Sequence, residues 1–128
     1  MSVESTRETV MAYLHGHDDS IVAEDAVFTI MDSGQEHRGR EAVKGMLQYF
    51  YSIAFDAEAK TRNLIIADGQ AVLEADFVGK HIGDFGGIPA TGKEVNVPLC
   101  VVYDIEDNKI KRGRVYWEFE SFRRQVTG

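Results

Sequence analysis

The sequence predicts an α+β protein, with helices in the first third and long antiparallel strands after them. Three observations lead there. Apolar residues recur at helical spacing up to about residue 53. After Phe55 the period switches to two, and tight turns at "ADGQ" and "EDNK" join the alternating segments. Helices followed by a run of strands imply helices packed on one face of a curved sheet.

The elements follow in order. Ser5 with Glu8 three residues on fits a capping box, and Val10, Tyr13 and Leu14 then share one helical face. "HGHDD" ends that helix at Gly16, with Asp18 or Asp19 placed to cap a short second helix through "SIVAEDA". "VFTIM" is β-branched and aromatic and reads as a strand, closed by "DSGQEHRG". A further helix is expected from about Arg40 to Ile53, burying Val43, Met46, Leu47 and Phe50. "AEAKTRNLII" alternates, with Ala57, Ala59, Thr61 and Asn63 opposite Glu58, Lys60 and Arg62. "AVLEADFVGKH" puts Ala71, Leu73, Ala75 and Phe77 on one face, and steps of two carry that face through Gly79 to His81. "EVNVPLCVVYDI" faces Val95, Val97, Leu99, Val101 and Tyr103 one way. The last strand, "IKRGRVYWEFESF", sets Val115, Trp117 and Phe119 against Arg112, Arg114, Tyr116 and Glu118.

Composition narrows the function. At 128 residues the chain suits one domain, residues 1–128, with 44% hydrophobic and 27% charged residues. A net charge of -7 argues against nucleic acid and anionic membrane as partners, and no apolar run is long enough to span a bilayer. "MSVESTRETV" lacks a secretion-signal layout, so a cytoplasmic protein is expected. A lone cysteine, Cys100, excludes an internal disulfide and a cysteine-rich zinc site. His15, His17, Asp18 and Asp19 fall together at a helix end and read as a solvated cap; no metal site is expected. "GDFGG" lacks the phosphate-loop lysine and joins strand to strand, so it is no nucleotide loop, and no cofactor motif is present. The basic residues Arg112, Arg114, Arg123 and Arg124, offset by Glu118 and Glu120, read as a solvated face.

Three stretches, "DAVFTIMDSGQEHRGREAV", "GKHIGDFGGIPATGK" and "KIKRGRVYWEFESFRRQ", resemble the cone-shaped fold shared by nuclear transport factor two, ketosteroid isomerase and the SnoaL-like polyketide cyclases. The resemblance covers nearly the whole chain and is closest to the cyclase branch. It implies a curved antiparallel sheet wrapped around the N-terminal helices as a cystatin-like α+β barrel. It also implies a deep apolar pocket for a small-molecule ligand, and a homodimer through the outer sheet face. The cyclases carry an acid–base Asp on the last strand, just before an aromatic residue; here that position, ahead of Tyr116, is Val115. Their facing His corresponds to Val101. Limonene epoxide hydrolases also use the last-strand Asp. An isopropyl group moves no proton, so both chemistries are weakened.

Two candidates remain for proton transfer. Asp32 stands where ketosteroid isomerases keep their shuttling carboxylate, and a pocket-mouth carboxylate acts as a base when desolvation raises its pKa. The competing reading is an Asp that caps the "DSG" turn. His81 is an acid, base or ligand donor, or else a core histidine bonded to backbone. Tyr13, Asn63, Phe77, Val101, Tyr103, Val115 and Trp117 are the expected ligand contacts, with the polar ones offering hydrogen bonds to a carbonyl. Two functions stay open: a cofactor-independent isomerase or cyclase acting on an apolar carbonyl compound, or a non-catalytic ligand-binding or protein-interaction domain.

Overall fold

The structure, a computed structural model, describes residues 2–16 and 19–128. Helix α1 spans Val3–Gly16. Its cap lies one turn upstream of the expected one. The Ser5 N–H donates to Ser2 Oγ at 3.1 Å and the Ser2 N–H to Ser5 Oγ at 3.0 Å, a reciprocal box of two serines. Thr6, buried, accepts the Gly69 N–H at 3.0 Å and so ties α1 to a hairpin of the sheet.

The expected second helix is absent. A single 3-10 turn, Asp19–Ile21, leads into strand β1, Val22–Ile30. Propensity alone does not decide this segment, because Val22, Ala23, Ala26 and Phe28 are buried where β1 pairs with the last strand. The turn at Met31–Gly34 joins β1 to a short strand β2, Gln35–Arg38. Helix α2, Arg40–Gln48, continues into a π-helical turn, Tyr49–Ile53, so the expected extent is right and its last turn is wider.

Strands β3 (Phe55–Ala67), β4 (Gln70–His81), β5 (Glu94–Glu106) and β6 (Lys109–Trp117) complete a six-stranded sheet in the order β2-β1-β6-β5-β4-β3. The sheet is curved, does not close, and is mixed: every pairing is antiparallel except β1 with β6. Asp107 and Asn108, both with positive φ, form the β5–β6 turn, as hairpin geometry prefers for Asn and Asp. Bending brings backbones close at Gly79, where a Cβ would overlap the Asp56 carbonyl across the β3–β4 pair.

The expected last strand, drawn to Phe122, is too long by five residues. β6 ends at Trp117, and helix α3, Phe119–Thr127, follows, burying Phe122 and Val126. Phe119, Phe122 and Val126 recur at helical spacing, and that periodicity carried the signal. No helix among the described residues is long and apolar enough to cross a membrane.

Candidate functional site

The concave side of the sheet and the α2–π segment enclose a small apolar cavity of about 40 Å³. Phe77 of β4, Val101 of β5, and Val115 and Trp117 of β6 line it from the sheet. Met46, Leu47, Phe50 and Tyr51 close it from the helix side. Those four positions mark one wide face, and the π turn keeps Phe50 and Tyr51 on it together. Val101 and Val115 are direct partners across β5 and β6, 5% and 8% exposed. Val101 and Val115, the positions the resemblance assigns to the cyclase pair, thus project side by side from the concave face, and both are isopropyl groups.

Tyr13 and Tyr103 lie beside this cavity, packed edge to face with ring centres 5.7 Å apart; Phe28, which lines the cavity, is 6.3 Å from Tyr103. Burial pushes the Tyr51 phenol up to about 12. Burial also raises Tyr13 and Tyr103, and the neighbouring phenols add to it: Tyr51 to Tyr13, and both Tyr13 and Tyr51 to Tyr103. Three phenols therefore cluster near the cavity as neutral O–H groups, donors that do not ionise near neutral pH.

His81 closes β4. The β4–β5 register is unbroken from Gln70 to Lys80, so the inner parity carries through and the residue is 0% exposed. It does not open into the cavity, however. Its ring packs on Phe55 and Phe122 at 5.3 and 5.0 Å, and its Nδ1 lies 3.0 Å from Thr91 Oγ1.

Asp32 and His81, the two proton-transfer candidates, do not meet. Asp32 is exposed in the turn after β1 and borders a trough of about 550 Å³ that also takes in Tyr116 and Cys100. Glu74, Asp76, Glu118 and Glu120 also line that trough, with Arg62 bonded to Asp76 at 2.8 Å. Asn63 departs from the expected inner face. The β3–β4 register slips between Thr61 and Asn63, a bulge at Arg62, so Asn63 pairs with outward Glu74 and is exposed. Leu64 and Ile66 then take the inner positions. The run "NLII" held the clue, since no single parity buries both Ala57 and Leu64.

Sequence reasoning missed the aromatic cluster that fills the cone: Phe55 at the start of β3, Phe85 in the β4–β5 loop, and Phe119 and Phe122 of α3. The arginines read as a solvated face are engaged locally. Arg112 and Arg114 both bond Asp104, and Arg123 pairs with Glu120. Burial, then Glu74, raises the Cys100 thiol pKa, which makes thiolate chemistry there less accessible. Among the described residues, no three His, Cys, Asp or Glu side chains stand close enough to hold a metal ion; His17 and Asp18, part of the helix-end cluster, lie outside those residues.

Helices laid into a curved, unclosed sheet around an apolar cavity define a ketosteroid isomerase-like cone. A family model described as SnoaL-like polyketide cyclase matches residues 17–126, and the chain belongs to that family. A solved structure from Jannaschia sp. CCS1 that bears the SnoaL-like polyketide cyclase name superposes with a TM-score of 0.86 at 17% identity, covering 98% of this chain and 93% of the other. A protein with a ketosteroid isomerase-like fold from Catenulispora acidiphila DSM 44928, solved with trimethylamine, gives 0.77 at 17% identity over 95% and 94%. A phenazine biosynthesis-related protein from Pseudomonas aeruginosa gives 0.78 at 20% identity over 98% and 82%. These likenesses show the fold. No curated protein sequence matches.

Proposed function

We propose that this chain is a ligand-binding member of the SnoaL-like family. Its cone takes a small, flat, neutral and mainly apolar molecule, and it does not run the proton transfer of the cyclases. The observation that carries this reading is the Val101–Val115 pair, buried side by side on the cavity wall. The rest of the lining agrees. It offers aromatic and aliphatic surface with neutral phenols nearby, which suits an apolar ligand bearing a few acceptors. A carboxylate in solvent and a histidine sealed among phenyl rings give the isomerase or cyclase reading no shared site. That the Catenulispora neighbour was solved with a small molecule is consistent with binding in this fold.

Titration with flat aromatic ketones, read through the fluorescence of Trp117, tests it. Saturable quenching without turnover of enone or polyketide-like substrates is expected. Turnover that disappears in Asp32→Asn or His81→Asn would sink the binding reading and restore the enzyme. We also propose a homodimer through the outer sheet face. Tyr116, 46% exposed on the outer side of β6, supports it. Light scattering should give twice the chain mass, reduced by Tyr116→Glu.

A further inference from the structure

Two buried N–H donors are left over from the cavity just described. The Thr91 backbone N–H donates to His81 Nδ1 at 3.3 Å. A backbone N–H only donates, so Nδ1 accepts and the neutral ring carries its proton on Nε2. That Nε2–H has no protein partner, and neither has the Nε1–H of Trp117, a group that can only donate. The side chains are 0% and 6% exposed. Buried donors without an acceptor are costly and uncommon, and each asks for a reason.

The two donors flank the same pair of phenyl rings. Phe55 and Phe122 lie 5.3 and 5.0 Å from the His81 ring centre, and 5.9 and 5.5 Å from that of Trp117. The His81 and Phe122 planes are nearly perpendicular, at 86°, so Phe122 offers the Nε2–H at most an N–H···π contact, a second-order interaction. Phe85 covers this place. Its ring stands 5.2 Å from Trp117, 5.3 Å from Phe55 and 5.5 Å from Phe122, yet it belongs to the loop between β4 and β5 and is only half-buried. The loop is held at Phe85 by its bridge to Ile88, and by the Tyr49 hydroxyl donating to the Asp84 carbonyl. Gly86 and Gly87 follow, both at positive φ.

We propose that His81 Nε2–H and Trp117 Nε1–H are the polar end of a binding site that opens when Phe85 swings out. Its ligand is a neutral, planar aromatic carbonyl compound. The ligand ring takes the place of Phe85, and its carbonyl oxygen accepts the donors. Neutrality follows from the interior: the described buried polar or charged residues are Thr6, Thr9 and His81, and His81 accepts the Thr91 N–H as a neutral ring, so no buried cation balances an anion. This inference rests on the small-molecule reading above, and names where in the cone the ligand's oxygen goes.

A matched pair of probes separates the two claims. Fluorenone and fluorene share shape and apolar surface, and only fluorenone has an acceptor. Wild-type protein should bind fluorenone about tenfold more tightly, the worth of one well-made buried hydrogen bond. The protein has one tryptophan, so its indole N–H gives a single amide-type signal in a 15N-labelled sample. Fluorenone should move that signal downfield and fluorene should not. His81→Asn, which keeps an acceptor for Thr91 and loses the distal donor, should bring the two affinities together. Phe85→Ala should raise the association rate of both probes severalfold. Equal affinities with equal indole shifts overturn the donor pair and leave the pocket reading standing. If neither probe binds, both readings fall. Should His81→Asn fail to fold, the wild-type indole signal decides alone.

Discussion

One strand, β6, presents two different chemistries to its two sides. Inward, Val115 and Trp117 face a cavity of about 40 Å³ walled by aliphatic and aromatic groups. Outward, Tyr116 and the adjoining Glu118 border a trough of about 550 Å³ with five carboxylates on its rim and Arg62 as its cation. The larger hollow is the wet, charged one, and the smaller is the dry one. Volume alone would therefore favour the charged hollow over the apolar one. A water-exposed rim keeps its charges solvated and its interactions weak, whereas a dry wall makes every polar atom consequential.

The largest expected effect tests that contrast at neighbouring positions. Val115→Asp puts an unpaired carboxylate against Val101 and should cost on the order of 3–5 kcal/mol of folding stability. Tyr116→Asp, one residue along and facing out, should cost about 1 kcal/mol or less when measured dilute enough for the chain to be monomeric. Urea denaturation of both variants measures the difference. Similar losses at the two sites would break the division between dry and wet faces. Val101→His added to Val115→Asp should recover part of the loss, because the pair then neutralises itself.

The division of faces was legible in the sequence wherever strands run without a slip. Steps of two from Ala71 reach His81 correctly because β4 pairs with β5 in one continuous register. The same counting on β3 fails at Asn63, since a bulge at Arg62 adds a residue to one strand and turns its later side chains over. The segment Val22–Ala26 carries helix-compatible residues, and its strand form is imposed by β6, a partner almost ninety positions away. The candidate site was legible as a wall and not as a chamber. Phe77, Val101, Val115 and Trp117 all line it. Whether His81 opens into the cavity, in contrast, depends on Phe55, Phe85 and Phe122, which come from a strand start, a loop and a helix. Their meeting is a tertiary event with no local pattern. Asp32 was legible first as a turn residue and only second as a base, and its exposed turn on the outer side agrees with the former.

An intermediate effect comes from the phenols beside the cavity. Tyr51 is raised from 10.0 to about 12 by burial, and Tyr13 and Tyr103 are raised as well. The fold holds the protonated form, so this contribution is complete below the ordinary phenol pKa near 10 and is lost as pH rises through the folded value. Stability should therefore fall between about pH 10 and 12, by on the order of 2 kcal/mol for Tyr51. Tyrosinate absorbance followed alongside circular dichroism checks it. Tyr51→Phe should flatten the fall. A tyrosinate titration of Tyr51 at the ordinary value, with the fold intact, would mean that water reaches the cavity wall.

The smallest effect belongs to the outer face and sharpens the contrast by its opposite sign. The Arg114 hydrogen bond first, then Gln70 and Arg112, hold the Asp104 carboxyl below its ordinary 3.8 against the opposing pull of burial. A lowered pKa stabilises the fold above the ordinary value, and that contribution disappears as pH falls below about 4 toward the folded pKa. Its size should be about 1 kcal/mol or less, because Arg112 is well exposed and solvent screens the group. Asp104→Asn should remove this part of the acid sensitivity, and 1 M salt should reduce it in the unmodified protein. Salt should leave the Val115→Asp penalty almost unchanged, since desolvation and not screening sets it. Stability measured at both salt concentrations thus sorts the two faces by physics: interactions on the wet side weaken with ionic strength, and those on the dry side do not.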